Sequence, residues 1–271
     1  SMQHRFQIHD QCSWVNYVRC HDDIGWTFSN EDAGHFGIDG YGHRKFLNEF
    51  YTGRFPGSFA RGVPFQFNPR NGDMRISGTC GSLAGLEKAH AEETGEEVEL
   101  ALRRILVMYG VALSIGGIPL IYLMDEIATL NDYSYQQDAH QAGDSRWVHR
   151  PVTDWEKVER RNLPGSYEYQ IFHRLKRMID IRKAMPVFGQ GVTEVFHSGN
   201  PHVFAYRRAD GYNRVTVLVN FSENSVEVEA RNLWQPGAEP AGIVDLISHQ
   251  RYDLYQALSL GPYHILWLAD A

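Results

Sequence analysis

The chain has 271 residues, 43% hydrophobic and 22% charged, an ordinary soluble globular composition with material for one or two domains. A net charge of −7 offers no basic face to nucleic acid or anionic lipid. The longest apolar stretch, Ile105 to Leu123, is broken by Tyr109, Ser114, Gly116-Gly117 and Pro119, which excludes a membrane span. Ser1-Met2 reads as a tag-cleavage scar, and no basic-then-apolar leader follows it. Three cysteines (Cys12, Cys20, Cys80), an odd number without CxxC spacing, argue against a disulfide framework or zinc site. They fit a reducing, cytoplasmic compartment.

The first predicted element is a strand, Trp14 to Cys20, rich in β-branched and aromatic residues and followed at once by His21, Asp22 and Asp23. The connection from Asp22 to Thr94 far exceeds the ~2–6 residues of an ordinary βα loop, so it reads as an inserted subdomain, with a helical piece at His43–Tyr51. Thr94 and Glu97 fit a capping box. Val98, Leu102, Ile105, Leu106 and Val111 then recur at helical spacing until Gly116. A second strand, Ile118 to Met124, again ends in acids, Asp125 and Glu126. After a polar loop from Thr129 to Gly165, a helix carries Tyr169, Phe172, Leu175, Met178, Ile179 and Ile181 near one face, and Pro186 closes it.

From Gly189 the texture changes to short alternating segments: Val192–Phe196, Val203–Arg208, Arg214–Asn220, Val226–Glu229 and His264–Leu268. Turn residues separate them, which predicts a small antiparallel β-domain. The expected fold is therefore α/β plus all-β. It comprises the last two β/α units of a (β/α)8 TIM barrel with an inserted subdomain, then an antiparallel β-sandwich. Two strands and two long helices do not close such a barrel, which needs roughly 250 residues. The chain reads as the back end of a larger enzyme.

Asp22 and Asp23 stand where a parallel strand delivers side chains to the functional face, and His21 adds a donor that can switch charge near neutrality. Carboxylates and His suit hydrogen bonds to sugar hydroxyls and stabilisation of an oxocarbenium-like charge; the same Asp pair can also simply cap a loop. Asp125 and Glu126 read as structural. The 13 histidines show no ligand spacing, so neither metal nor cofactor is expected. Gly34 to Gly40 superficially resembles a glycine-rich loop, but it follows no strand of a βαβ unit, which excludes a dinucleotide site. Asn220-Phe-Ser is a formal glycosylation sequon, relevant only under secretion. Trp147 has two readings, a sugar-stacking ring or packing against its own loop.

Several segments match one family in order. They are Val18-Arg-Cys-His-Asp-Asp-Ile-Gly-Trp-Thr-Phe28, Gly57-Ser-Phe-Ala-Arg-Gly-Val-Pro-Phe-Gln66, Gly72-Asp-Met-Arg-Ile-Ser-Gly78, Ile121-Tyr-Leu-Met-Asp-Glu126 with Leu130-Asn-Asp132, Asp144-Ser-Arg-Trp147 and His149-Arg-Pro151. Together they resemble the alpha-amylase family of glycoside hydrolases in its amylosucrase and sucrose hydrolase form. The resemblance implies a retaining enzyme that splits sucrose through a β-glucosyl intermediate. It then passes glucose to an α-1,4-glucan or to water. It implies that Asp22 stabilises the transition state and that His21 binds the same glucose ring. Asp23, Gln66 and Arg75 would line the fructose or acceptor side, and Arg146 would close the pocket bottom through a salt bridge to an upstream acid. Residues 1–24 would hold barrel strand 7, 25–94 the inserted subdomain, 95–188 the last helices and strand 8, and 189–271 the C-terminal β-domain.

One departure matters. The nucleophile of this family lies in a Gly-x-Arg-x-Asp context that does not occur in these residues, and the acid/base Glu should also lie upstream. The chain is thus expected to be inactive alone. Its expected partners are sucrose and α-glucan, with neither nucleic acid nor membrane. Its parallel edges call for cover by another copy or by the upstream part of the enzyme. Two other readings stay open: a noncatalytic carbohydrate-binding protein, and a sucrose or trehalose isomerase of the same family.

Overall fold

The computed structural model describes residues 5, 7–9, 11–211, 213–234, 240 and 242–271. In chain order the first elements are β1 (Val15–Tyr17), α1 (Asn30–Gly34), α2 (Gly40–Tyr51), β2 (Val63–Phe65), β3 (Arg75–Ser77), α3 (Cys80–Leu83) and α4 (Leu86–Glu92). Next come α5 (Gly95–Ser114), β4 (Ile118–Leu120), α6 (Trp155–Glu159), α7 (Tyr167–Ala184) and α8 (Val187–Gln190). The rest is β5 (Val192–His197), β6 (Val203–Ala209), β7 (Arg214–Asn220), β8 (Val226–Glu229), β9 (Ile243–Asp245), β10 (Arg251–Tyr252), β11 (Ala257–Leu260) and β12 (Ile265–Asp270). The chain divides into two compact units: Ser1–Val18 with Arg103–Leu120 and Phe172–Ala271, and Arg19–Leu102 with Ile121–Ile171.

In the first unit β1 and β4 pair in parallel, Val15 against Ile118 and Tyr17 against Leu120, and α5 connects them in sequence. Each is three residues long where the sequence predicts seven. With no third strand on either edge among the described residues, the ladder marks only the stretch where the two face each other. One face of the pair carries Val15, Tyr17, Ile118 and Leu120, all exposed. On the other, Asn16 is buried and its amide donates to the Gly116 carbonyl.

The C-terminal sheet has the order β10-β9-β12-β7-β6-β5 and is antiparallel throughout. One face, with Val203, Ala205, Leu218, Leu266 and Leu268, packs on the hairpin-like pair β8–β11 through Val228, Leu258 and Leu260. The opposite face carries Tyr206, Val217 and Trp267, and it is sealed by the helices of the same unit. Ser114 at the end of α5 shares a 2.5 Å hydrogen bond with the Tyr206 hydroxyl, and Phe188 of α8 packs on Trp267 at 4.7 Å with the rings tilted by 46°. Gly110 fits here because a Cβ would meet the Ile265 side chain at 2.7 Å. Burial on both faces explains why β7 reads as a nearly continuous apolar run. The sequon at Asn220 is a structural site instead. Its side chain is fully buried, and Nδ2 donates to the carbonyls of Asn224 (2.7 Å) and Gly261 (2.8 Å).

The second unit contains residues 25–94, the stretch the sequence reads as an insertion. Phe46, Phe50, Phe55 and Phe59 form an aromatic cluster on and around α2, with edge contacts of 4.9 Å (Phe46–Phe55) and 5.0 Å (Phe50–Phe59). The glycine-rich segment before α2 is a helix end, a turn and a helix start, α1 itself opening on a Ser29–Asp32 capping box. β2 and β3 form a short antiparallel pair that the sequence does not announce.

Candidate active site

The site lies in the second unit. Ile24 makes an antiparallel bridge to Ile76, with N–H···O distances of 2.8 and 2.9 Å, and this fixes the preceding His21-Asp22-Asp23 against β3. The next β3 residue, Arg75, then meets Asp23 at 3.4 Å. Asp23 is 7% exposed at its side chain and Arg75 56%, so the arginine covers the acid and keeps an open side. Phe65 of β2 lies opposite Arg75 in register. Gln66 follows it, exposed, with a left-handed backbone (φ 51°) that is uncommon for a residue with a side chain.

The other wall is the 3-10 turn Ser145–His149, which begins at the cap Asp144. Ser145 Oγ donates to the Pro64 carbonyl at 2.9 Å, which ties the turn to β2. Arg146 can then stack on the Phe65 ring, 4.7 Å from its centroid. Its Nε and Nη2 donate to the two oxygens of Asp144 at 3.0 and 2.8 Å, a bidentate pair, and Nη1 donates to Asp22 Oδ1 at 3.2 Å. Hydrogen bonding from Arg146 holds the Asp144 carboxyl below its ordinary range, and the same contact, with Asp22, holds Arg146 charged. Within this chain Arg146 is therefore paired with two acids, Asp144 and Asp22.

Two residues without an assigned role in the sequence reading hold the centre. His149 is 1% exposed. Its Nδ1 accepts from the Gly78 N–H at 3.1 Å, and Nε2–H donates to the His21 carbonyl at 2.9 Å. Burial, reinforced by the charge of Arg19, lowers its pKa from 6.5 to about 4, so it is a neutral imidazole with the proton on Nε2. Arg150 donates Nε to the same carbonyl at 2.8 Å, and its Nη2 lies 3.6 Å from Asp22 Oδ1. The Arg150 guanidinium sits over the Trp147 ring at 5.6 Å, so that ring packs within its own loop. Both stand in His149-Arg-Pro151, a segment of the matched pattern that carried no role for either residue.

The structure thus brings His21, Asp22, Asp23, Arg75 and Arg146 together, with Gln66 beside them through Phe65. Asp22 is half exposed, and its orientation is fixed. Oδ1 takes both Arg146 and Arg150, while Oδ2 faces His21 Nε2 at 3.4 Å and is left to accept a hydroxyl. The acids Asp22, Asp23 and Asp144 are matched by the bases Arg75, Arg146 and Arg150, so the cluster carries no surplus charge. Such a site can bind and orient an uncharged polyol. Retaining displacement needs a second free carboxyl ~5–5.5 Å from the first, and here Asp23 and Asp144 are both engaged by arginine. Asp125 is buried, as are Arg19 and Cys80 near it, which gives that acid a structural place. Among the described residues no cluster of His, Cys, Asp and Glu could hold a metal ion, and no helix is long and apolar enough to cross a membrane.

Comparison with known proteins follows the same line. Residues 193–267 match the family described as maltogenic amylase, C-terminal domain. The chain is 25% identical over 179 residues to the glucosylglycerate phosphorylase of Escherichia coli, covering 65% of this chain and 29% of that protein. It therefore spans less than a third of that curated relative. Among solved structures, AmyP variants and complexes share the fold. One with maltotriose has a TM-score of 0.53 at 17% identity, covering 69% of this chain and 38% of the other. One with maltose has a TM-score of 0.52 at 16% identity, covering 69% and 37%. The C-terminal sheet is similar to the C-terminal domain of maltogenic amylases, and the chain that carries it is similar to glycoside hydrolases and phosphorylases of the alpha-amylase type.

Proposed function

We propose that this chain supplies the sugar-binding face of a retaining, sucrose-cleaving enzyme of the alpha-amylase type, whose nucleophile and acid/base carboxyls lie in a longer protein. The observation that carries the reading is Asp22, a half-exposed carboxylate whose Oδ1 is held by Arg146 and Arg150 while Oδ2 faces His21 on the open side. A fixed acceptor of this kind bonds more strongly to sugar hydroxyls as the ring flattens toward an oxocarbenium ion, which is how it would act on the transition state. His21 would bind the same ring. Asp23, Arg75 and Gln66 would line the fructose or acceptor side, and Arg146 would hold Asp22 at the base of the pocket.

Similarity to a phosphorylase raises inorganic phosphate as an alternative acceptor. The matched count of acids and bases favours an uncharged acceptor, water or an α-glucan end, because a phosphate dianion needs surplus positive charge. The test is to supply the longer protein with sucrose, alone, with glycogen and with phosphate, and to resolve the products. Fructose with free glucose or elongated glucan supports the proposal, and glucose 1-phosphate replaces it with phosphorolysis. No release of fructose, with or without hydrolysis of maltotriose, refutes sucrose cleavage. The 271-residue chain alone should consume no sucrose above a buffer control.

A further inference from the structure

Two loops of the C-terminal sheet, remote in sequence from the Asp22 cluster, enclose a groove of about 740 Å³. That lies inside the roughly 300–1,000 Å³ range of small-molecule sites. One wall is the turn between β5 and β6, the other the loop 221–224 after β7, and Val195 and Phe204 lie between them. His197 is the register partner of Phe204 and shares its face of the sheet. Phe221, 44% exposed, and His202 stand on the two loops.

Both loops are held from beneath by buried polar side chains. Asn220 ties its loop at both ends. Nδ2 donates to the Asn224 carbonyl at 2.7 Å, and Oδ1 accepts from the N–H and hydroxyl of Ser222, each at 2.9 Å. Ser198 Oγ bonds the carbonyls of Asn200 and Val203 at 3.0 Å, and Asn200 Oδ1 accepts from the His202 N–H at 3.0 Å. The Phe221 N–H donates to the His202 carbonyl at 3.2 Å, joining the walls. This bracing holds the backbone that carries Phe221 and His202, so that little backbone entropy is lost when a ligand settles on the groove.

The lining also specifies the ligand's chemistry. Of the fourteen lining residues only Glu223 is Asp, Glu, Lys or Arg, and no basic side chain balances it, which disfavours phosphates, nucleic acid and acidic peptides. Ring faces take up the C–H faces of a pyranose, and the Glu223 carboxylate and Asn224 amide accept and donate to hydroxyls. We propose that this groove binds an uncharged oligosaccharide, stacked on Phe221 and the two imidazoles, as a second site independent of the reaction assigned to the Asp22 cluster.

The test is titration of the chain with maltoheptaose, together with its retardation in gels containing glycogen. Phe221→Ala should weaken binding at least roughly tenfold, the loss of one stacked ring. His202→Ala should weaken it less. Urea melts check the folding of each variant. If Phe221→Ala melts early, His202→Ala decides, since that side chain is exposed. Three results overturn the proposal: no binding by the wild-type chain, binding untouched by either groove variant, or a groove variant that alters self-association while glucan binding is unchanged.

Discussion

Acidification should loosen the candidate site through His149. In the native structure its Nδ1 must accept from the Gly78 N–H while Nε2–H donates to the His21 carbonyl. A proton on Nδ1 would set donor against donor in a buried position. The folded pKa is about 4 against an ordinary 6.5, so between those values the unfolded chain binds more protons than the folded one, and stability rises with pH. The stabilisation from keeping this imidazole neutral is whole above the unfolded value and is withdrawn as pH falls toward the folded one. The difference corresponds to roughly 3 kcal/mol, of which about 2 kcal/mol is gone by pH 5. Asp144, depressed by Arg146, has the ordinary carboxylate dependence and contributes loss only below this window.

Urea melts from about pH 7 to pH 5, on the chain and on His149→Gln, measure the term. The variant keeps a donor toward His21 but leaves the Gly78 N–H unpaired, so at neutral pH it should be about 1–3 kcal/mol less stable. Its own decline on acidification should be shallow, since His264, likewise lowered by burial, remains to titrate. The two curves should therefore converge as pH falls. Parallel curves across the window would refute the assignment of a neutral, doubly bonded His149.

In the longer protein, Asp22→Asn should lower kcat by about 10²–10³, the cost of one strong electrostatic group, while Arg75→Ala mainly shifts the split between hydrolysis and transfer; a near-normal kcat or an unmoved product ratio would reject either role. Asn220→Ala should cost roughly 2–4 kcal/mol in urea melts, because it strips buried bonds from the 221–224 loop, and a cost under about 0.5 kcal/mol would show that the loop closes without it. The exposed row Val15, Tyr17, Ile118 and Leu120 should make the chain self-associate, with Tyr17→Lys plus Leu120→Glu shifting sedimentation toward monomer; a wild-type monomer with a cooperative melt would contradict this.

Much of the fold was legible where a periodic signal ran long. The helix stripes of α5 and α7 and the apolar run of β7 carried their own identity. β9 and β10 did not, being three and two residues long, with Asp245 in β9. That acid is buried because its carboxylate caps the turn after it, accepting from Ser248 at 2.8 Å and from the Trp267 N–H at 2.9 Å. In the site, Asp22, Asp23 and Arg146 were legible as an ordered pattern. The partner of Arg146 was not, although Asp144 stands two residues away, because pairing depends on the turn that aims both side chains. His149 was hidden for a different reason: a histidine that never charges leaves no electrostatic pattern in a sequence.

The double seal on the C-terminal sheet bears on how this molecule can be dissected. The stretch that matches the amylase C-terminal family begins at residue 193, yet Tyr206 and Trp267 are completed by Ser114 and Phe188, which precede it. Excised at the family boundary, the sheet would present a bare aromatic and aliphatic face to water, and aggregation is the expected fate of such a surface. Heredity and cohesion therefore draw different borders here. A cassette meant for transplantation has to carry the end of α5, the end of α7 and α8, segments that the family match omits.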